Sequence, residues 1–339
     1  MPRLEKQPIL YQNKLDIPEK YLRFATPEEV AVYRAEKIKC GNITEIGAGI
    51  GGQTLAFSKT CKQVLAIESD KKKAGILIQN LKKLNINNVK VLVADALSKK
   101  AIEEIKEFQP DIIFCDTERP ESGERKISSI KPPIKEILKV FSEIKKIAVE
   151  IPPFTDTNEL KEKPEKEFLS LNSQLNRLTL YFNELKNADV SVVSLPSREK
   201  LESKIPRPKI KKISSIKEFE YLSAVNPAVV IANLVSELAE KFNASVLELN
   251  KPVLLSNKPA RTDFLTGYKI KTICKNEQKE IKEKLGGLGA GKVILRYNID
   301  PKDYWKIRNF YEKELKGNTE ITLFINEEKS EAILCERIN

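Results

Sequence analysis

Histidine is absent from this 339-residue chain. That excludes an imidazole general base and any histidine-ligated metal centre. No run approaches the 18 apolar residues of a membrane-spanning helix, and the first ten residues, MPRLEKQPIL, lack a signal-peptide core, so the expected location is cytoplasmic, with no membrane partner. The five cysteines (Cys40, Cys61, Cys115, Cys274 and Cys335) are scattered singly, without a C-x-x-C pair. That pattern argues against a disulfide frame and against zinc, and no metal is expected. Most read as small buried apolar residues, with Cys115 set beside a candidate site.

What is present is charge. Charged residues make up 32% and apolar residues 41% of a soluble, globular composition, and the net charge is +11. An excess of this sign suits an anionic partner, of which nucleic acid is the usual one, although Lys/Glu-rich surfaces also occur in heat-adapted proteins. The length suffices for two domains with separate cores.

The most informative stretch is residues 43–70, ITEIGAGIGGQTLAFSKTCKQVLAIESD. An apolar strand runs into Gly47-Ala48-Gly49-Ile50-Gly51-Gly52, a helix-length segment follows, and a second strand, residues 63–67, ends at Glu68. This is a βαβ unit whose glycine turn lets the backbone approach a ligand, with an acid placed for ribose hydroxyls. Gly47, Gly49 and Gly52 also fit the dinucleotide fingerprint, which keeps a dehydrogenase among the readings. Two acids favour S-adenosyl-L-methionine instead. Glu45, two residues before the first glycine, can face a methionine ammonium, and Asp95, in Ala94-Asp95-Ala96 after strand 89–93, can read an adenine amine. Methyl transfer needs no histidine, because the sulfonium donor is already activated and catalysis is largely in-line placement.

Around this unit the chain alternates. Thr26-Pro27-Glu28-Glu29 predicts a capping box that opens a helix ending near Cys40, and residues 24–26 are lid candidates. Helices are expected near 70–85, 98–107 and 134–144, with strands at 111–115 and 146–151. Segments near 167–171, 175–182 and 190–195 complete the sheet as antiparallel edge strands. The fold class is α/β: a Rossmann-like, seven-stranded class I methyltransferase domain with a helical preamble (residues 1–200), a basic linker (201–220) and a small C-terminal α+β module (221–339). In the module a helix spans 226–242, a βαβαββ pattern begins at 264, and Gly286 to Gly291 read as a helix C-cap.

On the acceptor side, the fourth strand ends in Asp116-Thr117-Glu118-Arg119-Pro120. Enzymes that methylate exocyclic amines of bases carry Asp or Asn, then Pro-Pro and an aromatic, at this position. Here Asp116 remains to orient an amine, and Arg119 and Arg125 could grip a phosphate. Pro152-Pro153-Phe154 follows the fifth strand instead and is expected to wall the pocket.

The order of Ala25-Thr26-Pro27-Glu28-Glu29-Val30, Tyr33-Arg34-Ala35, the glycine turn, Ala94-Asp95-Ala96 and the Asp116 loop resembles class I methyltransferases with a C-terminal THUMP-like domain. These are related to the RNA cap guanine-N2 methyltransferases (trimethylguanosine synthases). The likeness continues through Glu167 to Leu171, Asn226-Pro227-Ala228-Val229-Val230 and Ile333 to Arg337. It implies an S-adenosylmethionine-dependent enzyme acting on transfer or ribosomal RNA, helped by the RNA-binding terminal module. Thr26 would close over the cofactor; Glu45, Gly47, Gly49 and Gly51 would hold its methionine end, Glu68 its ribose, and Asp95 with Ala96 its adenine. Asp116 and Arg119 would be the catalytic pair. Two departures stand out. The family's Asp-Pro-Ala-Arg-Arg is altered here, and the cap enzymes' Asp-Pro-Pro-Trp is missing, which argues against cap hypermethylation. The alternative reading is an RNA-binding protein whose methyltransferase domain has degenerated; a protein or small-molecule methyltransferase is a further one.

Overall fold

The computed structural model describes residues 14–22, 25–118, 126–211, 213 and 215–338. The chain divides into two compact units, residues 1–198 and 199–339.

In the first unit, helices α1 (Glu19–Leu22) and α2 (Glu28–Lys37) precede β1 (Asn42–Ile46). Then come α3 (Thr54–Thr60), β2 (Gln63–Glu68), α4 (Lys71–Lys83), β3 (Val89–Val93), α5 (Lys99–Phe108) and β4 (Ile112–Asp116). Helix α6 (Ile134–Val140) and strands β5 (Lys146–Ile151), β6 (Glu165–Leu171), β7 (Gln174–Asn183) and β8 (Val190–Leu195) follow. Within this unit the strand order is β3-β2-β1-β4-β5-β7-β6-β8. Strands β1 to β5 run parallel, and the order reverses direction between β1 and β4, the switch point at which a doubly wound sheet opens a crevice.

The five parallel strands and the three later segments expected to complete the sheet are all present, which makes eight strands in this unit rather than seven, with β8 parallel to β6. One detail differs from the sequence reading. The antiparallel strand, β7, is not at an edge but lies between β5 and β6. A β6–β7 hairpin can dock by its second strand, so chain order does not give sheet order.

Sequence periodicity explains the layers. On one face Ala31, Ala35, Leu55, Phe57, Leu77 and Leu81 from α2, α3 and α4 bury against Val64, Ala66 and Phe114. Leu65 and Ile67 alternate to the opposite face, and both are buried. The caps are local as well: Asp70 accepts from the Lys72 and Lys73 amides at the start of α4, and Ser98 accepts from the Ala101 amide at the start of α5. The capping box foreseen at Thr26 does not form. Helix α2 starts at Glu28 with no side-chain cap, and Thr26 is turned inward, 4% exposed, against Gly52.

The second unit holds β9 (Glu199–Glu202), β10 (Tyr221–Val225), α7 (Pro227–Ile231), α8 (Val235–Lys241), β11 (Ser245–Glu248) and β12 (Pro252–Ser256). It continues with β13 (Leu265–Lys275), α9 (Gln278–Gly287), β14 (Ala290–Leu295), α10 (Tyr304–Glu312), β15 (Thr319–Asn326) and β16 (Glu331–Arg337). Its seven-stranded sheet has the order β11-β12-β10-β13-β16-β15-β14, with only β14 and β15 parallel. Ile281 and Leu285 of α9 and Tyr311 of α10 pack on Val293, Leu323 and Leu334. The single helix expected over 226–242 is two, broken at Asn233, whose φ of 55° is left-handed. The basic stretch before β10 is not all free chain, because Ile216 is buried in this unit's core with Ile213 and Phe219 packed beside it. Among the described residues no helix is long and apolar enough to cross a membrane.

Candidate functional site

The site is built on the turn between β1 and α3. The Gly47 and Ala48 amides both donate to the Ile67 carbonyl, at 2.9 and 3.0 Å, which ties the turn to the end of β2. Gly47 has φ +82°, and a Cβ there would stand 2.2 Å from the Asp116 carbonyl oxygen. Glycine is thus what lets the end of β4 lie against the turn.

A cavity of about 1460 Å³ opens over these strand ends, above the usual range for one small ligand and roomy enough for a nucleoside cofactor beside an acceptor base. Thr26, Glu45, Gly47, Gly49, Glu68, Asp95, Ala96 and Asp116 all line it. Gly51 does not. With φ +96° and a would-be Cβ 2.4 Å from Leu77 Cδ1, its role is close packing of the turn on α4, and Gly52 takes the place at the wall. Arg119, Arg125 and Phe24 lie outside the described residues.

The acids differ in environment. Glu45 is 1% exposed, and its Oε2 accepts from the Thr54 hydroxyl at 2.6 Å. Burial pushes its carboxyl up to about 8; the Thr54 hydrogen bond and the Arg34 cation oppose the rise, while Asp116 and Glu68 add to it. Glu68 accepts from the Gly49 amide at 2.6 Å and from the Asp70 amide at 2.8 Å, one on each oxygen, and each oxygen keeps a further lone pair. Asp95 is exposed and accepts from the Leu97 amide at 2.8 Å through Oδ1 only. Asp116 is half-buried at the end of β4. Cys115 beside it is fully buried, and burial, with Asp116 next to it, pushes its thiol up, so it is no nucleophile.

At and behind the wall near Asp116 stand residues that sequence reasoning missed. Arg34 of α2 is 0% exposed, yet charged. Burial works against its charge, but Glu150 above all holds its guanidinium above the ordinary value. Arg34 pairs with Glu150 and donates to Gln53 Oε1 at 2.9 Å and to Thr179 Oγ1 at 3.3 Å. Its guanidinium lies 4.9 Å from the Phe114 ring centroid. Arg177 approaches the other Glu150 oxygen at 2.7 Å, and Glu150 and Arg177 both line the cavity. Spacing of Val30, Ala31, Arg34 and Ala35 on one helical face was the available signal: a cation in an apolar stripe needs a buried partner. The β6–β7 hairpin contributes Asn172, Gln174 and Asn176, and the buried Oδ1 of Asn176 has no hydrogen-bond partner among the described residues. Thr117 and Glu118 also line the cavity, and the Thr117 hydroxyl donates to the Glu150 carbonyl at 2.7 Å. Pro152 lines the cavity, whereas Phe154 is 51% exposed and outside its lining. Among the described residues no group of three His, Cys, Asp or Glu side chains could hold a metal ion.

Comparisons with known proteins agree with this geometry. Residues 28–144 match the family model described as ribosomal RNA adenine dimethylase. The probable cobalt-precorrin-6B C(15)-methyltransferase (decarboxylating) of Methanococcus vannielii is 36% identical over 74 residues, 21% of this chain and 41% of that protein. Ribosomal RNA small subunit methyltransferase A of Desulforapulum autotrophicum is 30% identical over 94 residues, 28% of this chain and 32% of that protein. The chain therefore spans less than half the length of these curated relatives. A solved structure from Porphyromonas gingivalis W83, described as a candidate methyltransferase, superposes with a TM-score of 0.80 at 16% identity, covering 96% of this chain and 84% of that one. With its strand order and glycine turn, the chain has the fold of the class I methyltransferases.

Proposed function

We propose that this protein is an S-adenosylmethionine-dependent methyltransferase that modifies an exocyclic amine of a base in ribosomal or transfer RNA. The observation that carries the reading is the convergence of Glu45, Glu68, Asp95 and Asp116 on one cavity around a glycine turn. The donor set fits the cofactor. A buried carboxyl with one hydroxyl partner, Glu45, suits an ammonium; the spare lone pairs of Glu68 suit ribose hydroxyls, and the free oxygen of Asp95 suits an adenine amine. Bound here, the cofactor supplies a methyl group on positively charged sulfur, which leaves as a neutral thioether. Asp116 accepts a hydrogen bond from the acceptor amine, which aims the nitrogen lone pair at the methyl carbon and receives the proton that nitrogen sheds. Arg34 pairs with Glu150 and holds its carboxylate in position at the wall.

RNA as acceptor is supported by the ribosomal RNA adenine dimethylase model, by the small-subunit methyltransferase relative, and by the net charge of +11. The second unit would hold the RNA backbone. A second reading, an RNA-binding protein with an inactive site, is favoured by Thr117-Glu118 standing where amine methylases carry Pro-Pro. Calorimetric titration with S-adenosylmethionine, then tritium transfer to unmodified ribosomal and transfer RNA, tests the proposal. Saturable binding with label in RNA supports it. Binding without label in any RNA favours the second reading, and absence of cofactor binding defeats the first.

A further inference from the structure

Helix α10 presents two unlike faces. Inward, Tyr311 is buried and Tyr304 and Ile307 pack on the sheet. Outward, Trp305 is 62% and Phe310 40% exposed, with Lys306 and Asn309 also exposed between them and Lys313 one turn on. Burial in the core accounts for neither ring. Each is nevertheless held. Trp305 meets Tyr304 edge-to-face at 5.6 Å with the Arg308 guanidinium 5.2 Å from its centroid. Phe310 meets Tyr311 at 5.4 Å, with the Lys282 ammonium of α9 4.6 Å from its centroid. Those two cations also pair with acids, Arg308 with Glu312 at 2.9 Å and Lys282 with Glu314 at 3.4 Å. Lys306 and Lys313 have no acidic partner among the described residues.

We propose that this outer face of α10 is a stacking surface for unpaired nucleotides of RNA. Two aromatic rings, each backed by a cation and still exposed, flanked by unpaired lysines, complement planar bases strung on phosphates. A protein interface fits less well, because interface cores are depleted in lysine. A duplex fits less well, because its base faces are already stacked inside the helix. The choice of RNA over DNA rests on the function proposed above; the stacking chemistry does not.

Trp305 is the only tryptophan in the chain, so fluorescence excited at the red edge, where the nine tyrosines do not absorb, reports on this surface alone. Full-length protein without cofactor is titrated with a single-stranded 12-nucleotide RNA, the same sequence as single-stranded DNA, and the same sequence as RNA duplex. The expected result is saturable quenching by the single-stranded RNA, at least tenfold weaker with the duplex. Two phosphates held by Lys306 and Lys313 give a slope of roughly −1.4 in log affinity against log salt. The exposed variant Phe310→Ala, whose melting is measured alongside, weakens binding roughly 5- to 100-fold. Absence of quenching, equal quenching by duplex, or an unchanged affinity in Phe310→Ala would overturn the proposal, as would fluorescence that changes with protein concentration alone, the mark of self-association. Equal affinity for the DNA strand would overturn the choice of RNA. Because the readout needs no methyl transfer, failure here and failure of the catalytic reading are separable.

Discussion

Glu45 should make cofactor binding depend on pH in a way no other group at the site reproduces. Its carboxyl is raised to about 8 by burial, with Asp116 and Glu68 adding to the rise. An ammonium seated against it requires the ionised form, so binding expels a proton. At pH 7 the carboxyl is ionised in about one molecule in eleven, and at pH 6 in about one in a hundred. The ligand's own amine, with a pKa near 8, stays almost fully charged across that interval. Affinity for S-adenosylhomocysteine should therefore rise about eightfold from pH 6 to pH 7, roughly 1.3 kcal/mol, and peak near pH 8, above which the ligand's amine loses its proton. Calorimetry in buffers of different ionisation enthalpy should find close to one proton released per ligand at pH 6. In Glu45→Gln the pH dependence should disappear while binding at pH 8 weakens. A flat wild-type profile, or the same slope in Glu45→Gln, refutes the placement of the ammonium at Glu45.

The same carboxyl sets a stability trend. Its folded value lies above the unfolded one, so its contribution is full below about pH 4 and is lost as pH rises through about 8; Glu45→Gln should flatten the fall in melting temperature of the ligand-free protein over that interval. Gly47→Ala must place a methyl 2.2 Å from the Asp116 carbonyl at φ +82°, and should lose about 3 kcal/mol or more in urea unfolding. Arg34→Met leaves the buried Glu150 with Arg177 as its remaining cation and should cost about 3 kcal/mol by the same measurement; an unchanged midpoint would deny the pair any weight. Asp116→Asn should lower tritium transfer to RNA by about 100-fold. Its cofactor affinity at pH 7 should hold or improve, since the lost charge is one that raises Glu45.

The glycine turn, the acids at the ends of β1, β2 and β4 and the one following β3, and the helix starts near residues 70 and 98 were legible because each depends on neighbours a few residues away. Alternation of apolar strands and amphipathic helices announced a doubly wound sheet for the same reason. Gly51 was misjudged because a glycine needed for packing and one needed for a ligand look identical in sequence; only the position of Leu77 separates them. The capping box at Thr26 failed because tertiary packing buries that residue, its backbone lying against Gly52.

The amino-acid order by itself determined which segments become strands and helices and which strand ends carry a carboxylate, since hydrogen bonding and side-chain period act over a few residues. Tertiary structure alone decided that β7 slips between β5 and β6, and that Arg34 meets Glu150 across 116 residues and Thr179 across 145. The physical reason is desolvation: a guanidinium and a carboxylate far apart in sequence tolerate burial only together, and only the closed sheet brings them together.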